Sequence, residues 1–125
     1  MTREVISTDK APAAVGPYSQ AIKTEHHVYT AGQLGINPFT GKLAEGVVAQ
    51  ARQALANLEA ILVSAGSDLD HVVKTTIFLA DMGDFAEVNG IYAGYFTAEP
   101  PARSTVEVGG LPAGLLVEIE AVAAR

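Results

Sequence analysis

With 125 residues and a mass of 13.0 kDa, the chain has the length of one domain, and folding is expected to bury about two thirds of its extended surface in a single core. Eight Lys and Arg against fourteen Asp and Glu leave a formal net charge of −6, which argues against a nucleic-acid binder working through its phosphate backbone, and the complete lack of Cys excludes disulfides, thiolate nucleophiles and Cys-based zinc sites. Only 18% of residues are charged while 49% are hydrophobic, so a lone chain is short of polar groups to cover itself and oligomerisation is expected; with no apolar run near the ~18 residues of a membrane span and no signal-peptide core at the start, the expected setting is cytoplasmic, without membrane contact.

No repeat or long linker divides the sequence, so residues 1–125 are read as one domain. Ala11-Pro12 and Gly16-Pro17 push their preceding residues away from helix, and the N-terminal segment is expected to be extended or turning as far as Tyr18. Short strands follow at Ser19 to Lys23 and His27 to Ala31 around a Thr24-Glu25-His26 turn, and Asn37-Pro38-Phe39-Thr40-Gly41 reads as a further turn. From Val47 the apolar residues Val48, Ala51, Leu55, Leu58, Ile61, Leu62 and Ala65 recur at three- and four-residue intervals, which predicts an amphipathic helix terminated by Gly66. Val72 to Leu79 is rich in β-branched and aromatic residues and reads as a buried strand. A second helix is expected from a capping box of Asp84 and Glu87, with Phe85, Val88, Ile91, Tyr92, Tyr95 and Phe96 as its apolar stripe. Beyond Glu99-Pro100-Pro101, Arg103 to Val108 and Leu115 to Ala123 alternate as strands around a glycine-rich loop, a terminal hairpin. The order βββαβαββ predicts an α+β fold, a mainly antiparallel sheet with both helices on one face and the other face uncovered.

Strand parity puts Arg103, Thr105 and Glu107 on one face, and Glu118 with Glu120 on one face of the last strand. If the hairpin loop is residues 109–114, Thr105 falls opposite Glu118 and Arg103 opposite Glu120, so the guanidinium and two carboxylates would share a face. Such a cluster is either a solvated cross-strand ion pair or a site in which the arginine fork clamps a small carboxylate while a glutamate directs water. His26 and His27 are neighbours in sequence whose rings point to opposite faces, and His71 has no obvious second ligand, so no metal site is expected. Tyr18 reads as a core residue or a pocket wall. Asn89 interrupts the stripe of the second helix and either caps a backbone group or faces a polar site, and Gly32 either turns the chain or lets backbone amides approach a ligand. Without GxGxxG or a P-loop, nucleotide chemistry has no support.

Ala11-Pro12-Ala13-Ala14-Val15-Gly16-Pro17-Tyr18-Ser19-Gln20, Thr30-Ala31-Gly32-Gln33, Val73-Lys74-Thr75-Thr76, Asp84-Phe85 through Val88-Asn89, and Pro101-Ala102-Arg103-Ser104 through Val117-Glu118-Ile119-Glu120 closely resemble the reactive-intermediate deaminase (Rid) family over nearly the whole chain. The resemblance implies a chorismate-mutase-like homotrimer with ligand pockets between subunits, and hydrolysis of 2-iminopropanoate and 2-iminobutanoate, released by pyridoxal-phosphate-dependent dehydratases, to 2-keto acids and ammonia. It implies no cofactor. Residue by residue, Arg103 would clamp the carboxylate, Glu118 would position water, and Tyr18, Ala31, Gly32, Asn89 and Thr105 would line the pocket. Thr105 stands where relatives often have Cys, Ala31 where they often have Ser, and the approach to Pro101 is shortened. The other readings are a chaperone-like holdase, a small-carboxylate-binding protein without significant catalysis, and, least supported by the acidic charge, a ribonuclease.

Overall fold

A computed structural model describes residues 2–125. Its elements are β1 (Glu4–Ile6), β2 (Ala21–Lys23), β3 (His27–Thr30), β4 (Gln33–Leu34), α1 (Val47–Ser64), β5 (Val72–Leu79), α2 (Phe85–Ala93), β6 (Ala102–Glu107) and β7 (Val117–Ala124). Four short strands rather than three therefore precede the first helix; β1 lies in the stretch expected only to be extended and pairs with β2.

The long helix follows its apolar period. Leu55, Leu58, Ile61 and Leu62 are fully buried, each worth roughly 1.5–3 kcal/mol when removed from water. Its end is a Schellman motif: Gly66, at φ 83°, donates to the Val63 carbonyl at 3.0 Å and Ser67 to the Leu62 carbonyl at 2.8 Å, a left-handed turn that an L side chain would strain. The capping box expected for α2 does not form. The chain enters that helix through a 3-10 turn at Met82–Asp84, so Asp84 has nearly helical backbone angles and its side chain makes no cap bond; Asp81 caps the turn instead, accepting from the Gly83 amide at 2.8 Å.

The sheet order is β1-β2-β3-β7-β5-β6, with β4 also paired to β7, and every pairing is antiparallel except β5 with β6. This is an α+β fold with a mostly antiparallel sheet and two helices. Val117, Ile119, Ala121 and Ala123 of β7, with Thr75, Ile77 and Leu79 of β5, form its buried face under the helices. The opposite face carries Lys74, Thr76 and Phe78, together with Glu118, Glu120 and Val122, none of them fully buried.

The terminal hairpin is a correction. β5 lies between β6 and β7, so the two strands expected to pair never touch. Two influences override the local reading. A long strand buried on one face needs partners on both edges, and the α2 crossover lays β6 parallel to β5, leaving residues 108–116 to bridge two inter-strand spacings, about 10 Å, to reach β7 on the far edge. The parity of each strand holds, but the registers change: Arg103 shares a row with Thr75 and Ala121, Thr105 with Ile77 and Ile119, and Glu118 with Phe78 and Val106. Arg103 and Thr105 consequently face the helices, whereas Glu118 and Glu120 project from the other side of the sheet. The shared face of one arginine and two glutamates does not exist within the chain.

Candidate active site

Two polar half-sites occupy opposite sides of the sheet. The first lies where α2 crosses edge strand β6. Phe85, Asn89 and Tyr92 stand at four- and three-residue intervals and so run along one stripe of α2. The Arg103 guanidinium carbon lies 4.8 Å from the Tyr92 ring centroid and 5.6 Å from that of Phe85, and the Tyr92 ring is itself fixed by a buried 2.7 Å bond between its hydroxyl and Thr75 Oγ1. Burial pushes the Tyr92 phenol pKa up, so that ring remains neutral. The aromatic contacts hold a cation whose charge is otherwise unanswered: among the described residues the only ion pairs are His26 with Glu25 and His71 with Asp68. The surface ion pair weighed for Arg103 is therefore absent. Beside it on β6, the Thr105 hydroxyl oxygen is shielded from solvent and has no hydrogen-bond partner. Asn89 is exposed and makes no side-chain hydrogen bond, which removes the internal-cap reading.

The second half-site is built on a bulge. Between Tyr29, which opposes Val122, and Gln33, which opposes Ile119, the register against β7 slips by one residue at Ala31-Gly32. The Thr30 hydroxyl accepts the Ala121 amide at 3.0 Å across the break, and the Ala31 amide turns to the Gln20 carbonyl at 2.8 Å. Glu118 lies over the bulge, flanked by Leu34 and Phe78, and a Cβ added at Gly32 would collide with Glu118 Oε2. The absence of a side chain at Gly32 is what admits the carboxylate. Burial first, and the neighbouring Glu120 charge second, raise the Glu118 pKa above the ordinary glutamate value. A groove of about 360 Å³ leads away from Gly32 between Tyr18, Gln20, Leu34 and Ile36. Tyr18 is 51% exposed, so it is a groove wall and not a core residue; its hydroxyl accepts from the Val15 amide at 3.3 Å.

Gly32→Ala is accordingly expected to displace a flexible carboxylate rather than backbone. Its stability cost should stay within about 1 kcal/mol, while turnover falls roughly as far as it does when Glu118 is neutralised. Paired thermal melts and initial rates check this, and a large loss of stability at unchanged turnover would show that the contact is purely structural.

The structure brings Tyr18, Ala31, Gly32 and Glu118 together, and separately Asn89, Arg103 and Thr105. It does not bring the two sets to one point. Sequence reasoning missed the polar residues that position them. Buried Gln50 donates to the Ala44 and Gly114 carbonyls at 3.1 and 3.0 Å and accepts the Leu116 amide at 2.8 Å, setting the start of β7; buried Asn57 donates to the Leu34 and Ile36 carbonyls at 3.0 Å each. Gln20 ties the Thr8 to Pro12 segment beside the groove through four bonds. The available signal was two polar residues seven apart on the apolar stripe of α1, a position where each must find a partner. Among the described residues no group of three or more His, Asp or Glu could hold a metal ion. No helix is long and apolar enough to cross a membrane.

A single mixed sheet with a desolvated glutamate on one face and an unpaired arginine on the other defines a small α+β protein with a divided polar site. Residues 8–125 match the family model described as Endoribonuclease L-PSP, and the chain belongs to that family. It is 54% identical to 2-iminobutanoate/2-iminopropanoate deaminase of Mus musculus, covering 98% of this chain and 92% of the mouse protein. Among solved structures, a Rid-family protein of unknown function from Yersinia pestis, YyfA, matches with TM-score 0.96 and 50% identity over 99% of this chain and all of that one. E. coli TdcF with bound serine matches with TM-score 0.94 and 41% identity over 98% of both chains.

Proposed function

We propose that the chain is a cytoplasmic deaminase of the reactive-intermediate type, a single chorismate-mutase-like domain that hydrolyses 2-iminopropanoate and 2-iminobutanoate to 2-keto acids and ammonia without a cofactor. The observation that carries this reading is the Glu118 carboxylate, desolvated and seated over Gly32, a placement that costs stability and suits a group that handles water. The name shared by relatives from mouse, goat and human supports it. The serine bound to TdcF favours a second, weaker reading as a binder of small carboxylates.

In this reading the two half-sites meet across a subunit boundary. Arg103 and Glu118 are separated by the sheet within one chain, so a substrate held by both needs a second copy whose α2 and β6 approach the open face of the first. That open face supplies the contact area, with Tyr29, Val73 and Val106 each more than 40% exposed. A homotrimer closes such a head-to-tail contact. Sedimentation equilibrium at micromolar concentration is expected to give three times the 13.0 kDa chain mass; a persistent monomer would remove both the trimer and the shared pocket.

Imines hydrolyse in water unaided, so the catalyst needs only to immobilise C2 and aim water at it. Arg103 and Asn89 orient the substrate carboxylate from one side. From the other, Glu118 takes a proton from water as oxygen adds to C2, then returns it as the carbinolamine loses ammonia, while Tyr18 and the Ala31-Gly32 backbone wall the pocket. Such an enzyme belongs beside pyridoxal-phosphate-dependent dehydratases, whose enamine products tautomerise to its substrates. The test couples the purified protein to an amino-acid oxidase and follows imine lifetime over a substrate panel. Lifetimes matching the uncatalysed rate for every imine would leave the carboxylate-binding reading.

A further inference from the structure

We infer that Gln33 selects the side chain of the ligand: its carboxamide hydrogen-bonds a neutral polar group, a hydroxyl first of all, carried beyond C2. The position of C2 beside Glu118 is taken from the deaminase reading. Gly32, Gln33 and Leu34 are consecutive and so include both parities of the strand, yet all three line the groove of about 360 Å³. The groove therefore follows the edge of β4 that is not paired with β7, and a ligand entering beside Gly32 meets Gln33 next. Gln33 is only 5% exposed, and among the described residues its side chain makes no hydrogen bond, a condition that folded proteins avoid unless a partner arrives from outside. Thr105 Oγ1 alone is both sealed from solvent and unpartnered among the described residues, so the amide atoms of Gln33 still reach open space, and the groove is the space that residue lines. The other two carboxamides of the groove are already committed: Gln20 accepts the Thr8 amide at 2.7 Å and donates to the Pro12 carbonyl at 2.8 Å, and Asn37 accepts the Phe39 amide at 2.8 Å. No lining residue carries a charge, so the group that Gln33 awaits is neutral. A carboxamide both donates and accepts, which matches a hydroxyl, whereas an apolar side chain in the same place would leave the buried amide unpaired.

Two pairs of keto acids of matched shape isolate this contact: hydroxypyruvate against 2-ketobutyrate, and 2-keto-4-hydroxybutyrate against 2-ketovalerate, each exchanging a terminal methyl for a hydroxyl. Calorimetry on the unaltered protein is expected to show about tenfold tighter binding of the hydroxyl member in at least one pair. Gln33→Met keeps the length of the side chain and removes the amide. It should bring that ratio within about twofold of one, and it should melt at or above the wild-type temperature, because an unpaired buried amide has gone. Equal affinities within both pairs of the unaltered protein overturn the inference, and so does a hydroxyl preference that survives in the methionine variant. A lowered melting temperature in that variant overturns it as well, since the amide would then have a structural partner. Failure of all four keto acids to bind would remove the deaminase reading together with the role of Gln33, whereas binding without preference removes the role of Gln33 alone.

Discussion

Arg103→Lys should lower kcat/KM for 2-iminopropanoate by about ten- to a hundredfold and weaken keto-acid binding in parallel, while leaving the fold and assembly intact. A lysine keeps the charge but not the planar fork, and loss of one charge-assisted hydrogen bond alone is worth about 1.5–3 kcal/mol. The aromatic bed sharpens the expectation. Guanidinium stacking on Tyr92 and Phe85 holds the donors in one plane before the ligand arrives, and an ammonium on a flexible stem cannot use that preorganisation. Because Arg103 has no acidic partner within the chain, the substitution breaks no internal ion pair, and melting should shift by no more than ~1 kcal/mol. Near-wild-type rates would remove Arg103 from the site.

At Glu118 the expected result has two opposite signs. Glu118→Gln should reduce kcat on the order of ten to a thousand fold with keto-acid affinity nearly unchanged, because glutamine keeps the shape and loses the base. Stability should move the other way. Burial and Glu120 raise the carboxyl pKa in the folded state, so the native protein binds its proton more tightly than the unfolded chain does. Its contribution to stability is then greatest below the ordinary glutamate value and declines as pH rises through the elevated one. The glutamine variant lacks that decline and should melt at an equal or higher temperature at neutral pH. Wild-type turnover should fall on acidification already above the ordinary glutamate pKa, since the deprotonated form is the base. If Glu118 merely neutralised a neighbouring subunit's Arg103, the variant would change keto-acid affinity and preserve kcat.

The elements legible in the sequence were those fixed by local periodicity: α1 by its 3.6-residue stripe, β5 by its β-branched run, and the Asn37 turn, where Asn37 Oδ1 accepts the Phe39 amide at 2.8 Å as the side chain of a turn residue should. The sidedness of Arg103 and Glu118 on their own strands was equally legible, because parity is a property of one strand. Pairing is a property of two. Nothing between Arg103 and Glu118 announces that β5 will lie between their strands, since the competitor for β7 is a segment 45 residues upstream with no local mark of its preference. The bulge at Ala31-Gly32 was invisible for a related reason: it exists only as a register slip against β7. The candidate residues came from family resemblance, and the local assumption of a terminal hairpin put Arg103 and Glu118 on one face where the sheet separates them.

The position of β7 also bears on how the molecule comes into being. The last strand in the sequence sits inside the sheet and pairs with β3, β4 and β5, joining residues nearly a hundred positions apart. A nascent chain can form α1 and the β5-α2-β6 crossover early, but β3 and β5 have no common partner until residues 117–124 are available. Contacts of such long range make closure slow, and until it occurs β3 and β5 each present a bare edge to other chains. Loss of only the nine residues 117–125 would therefore do more than shorten the protein: it would divide the sheet in two and leave a species prone to aggregate, with the edges that β7 normally joins exposed during every round of synthesis.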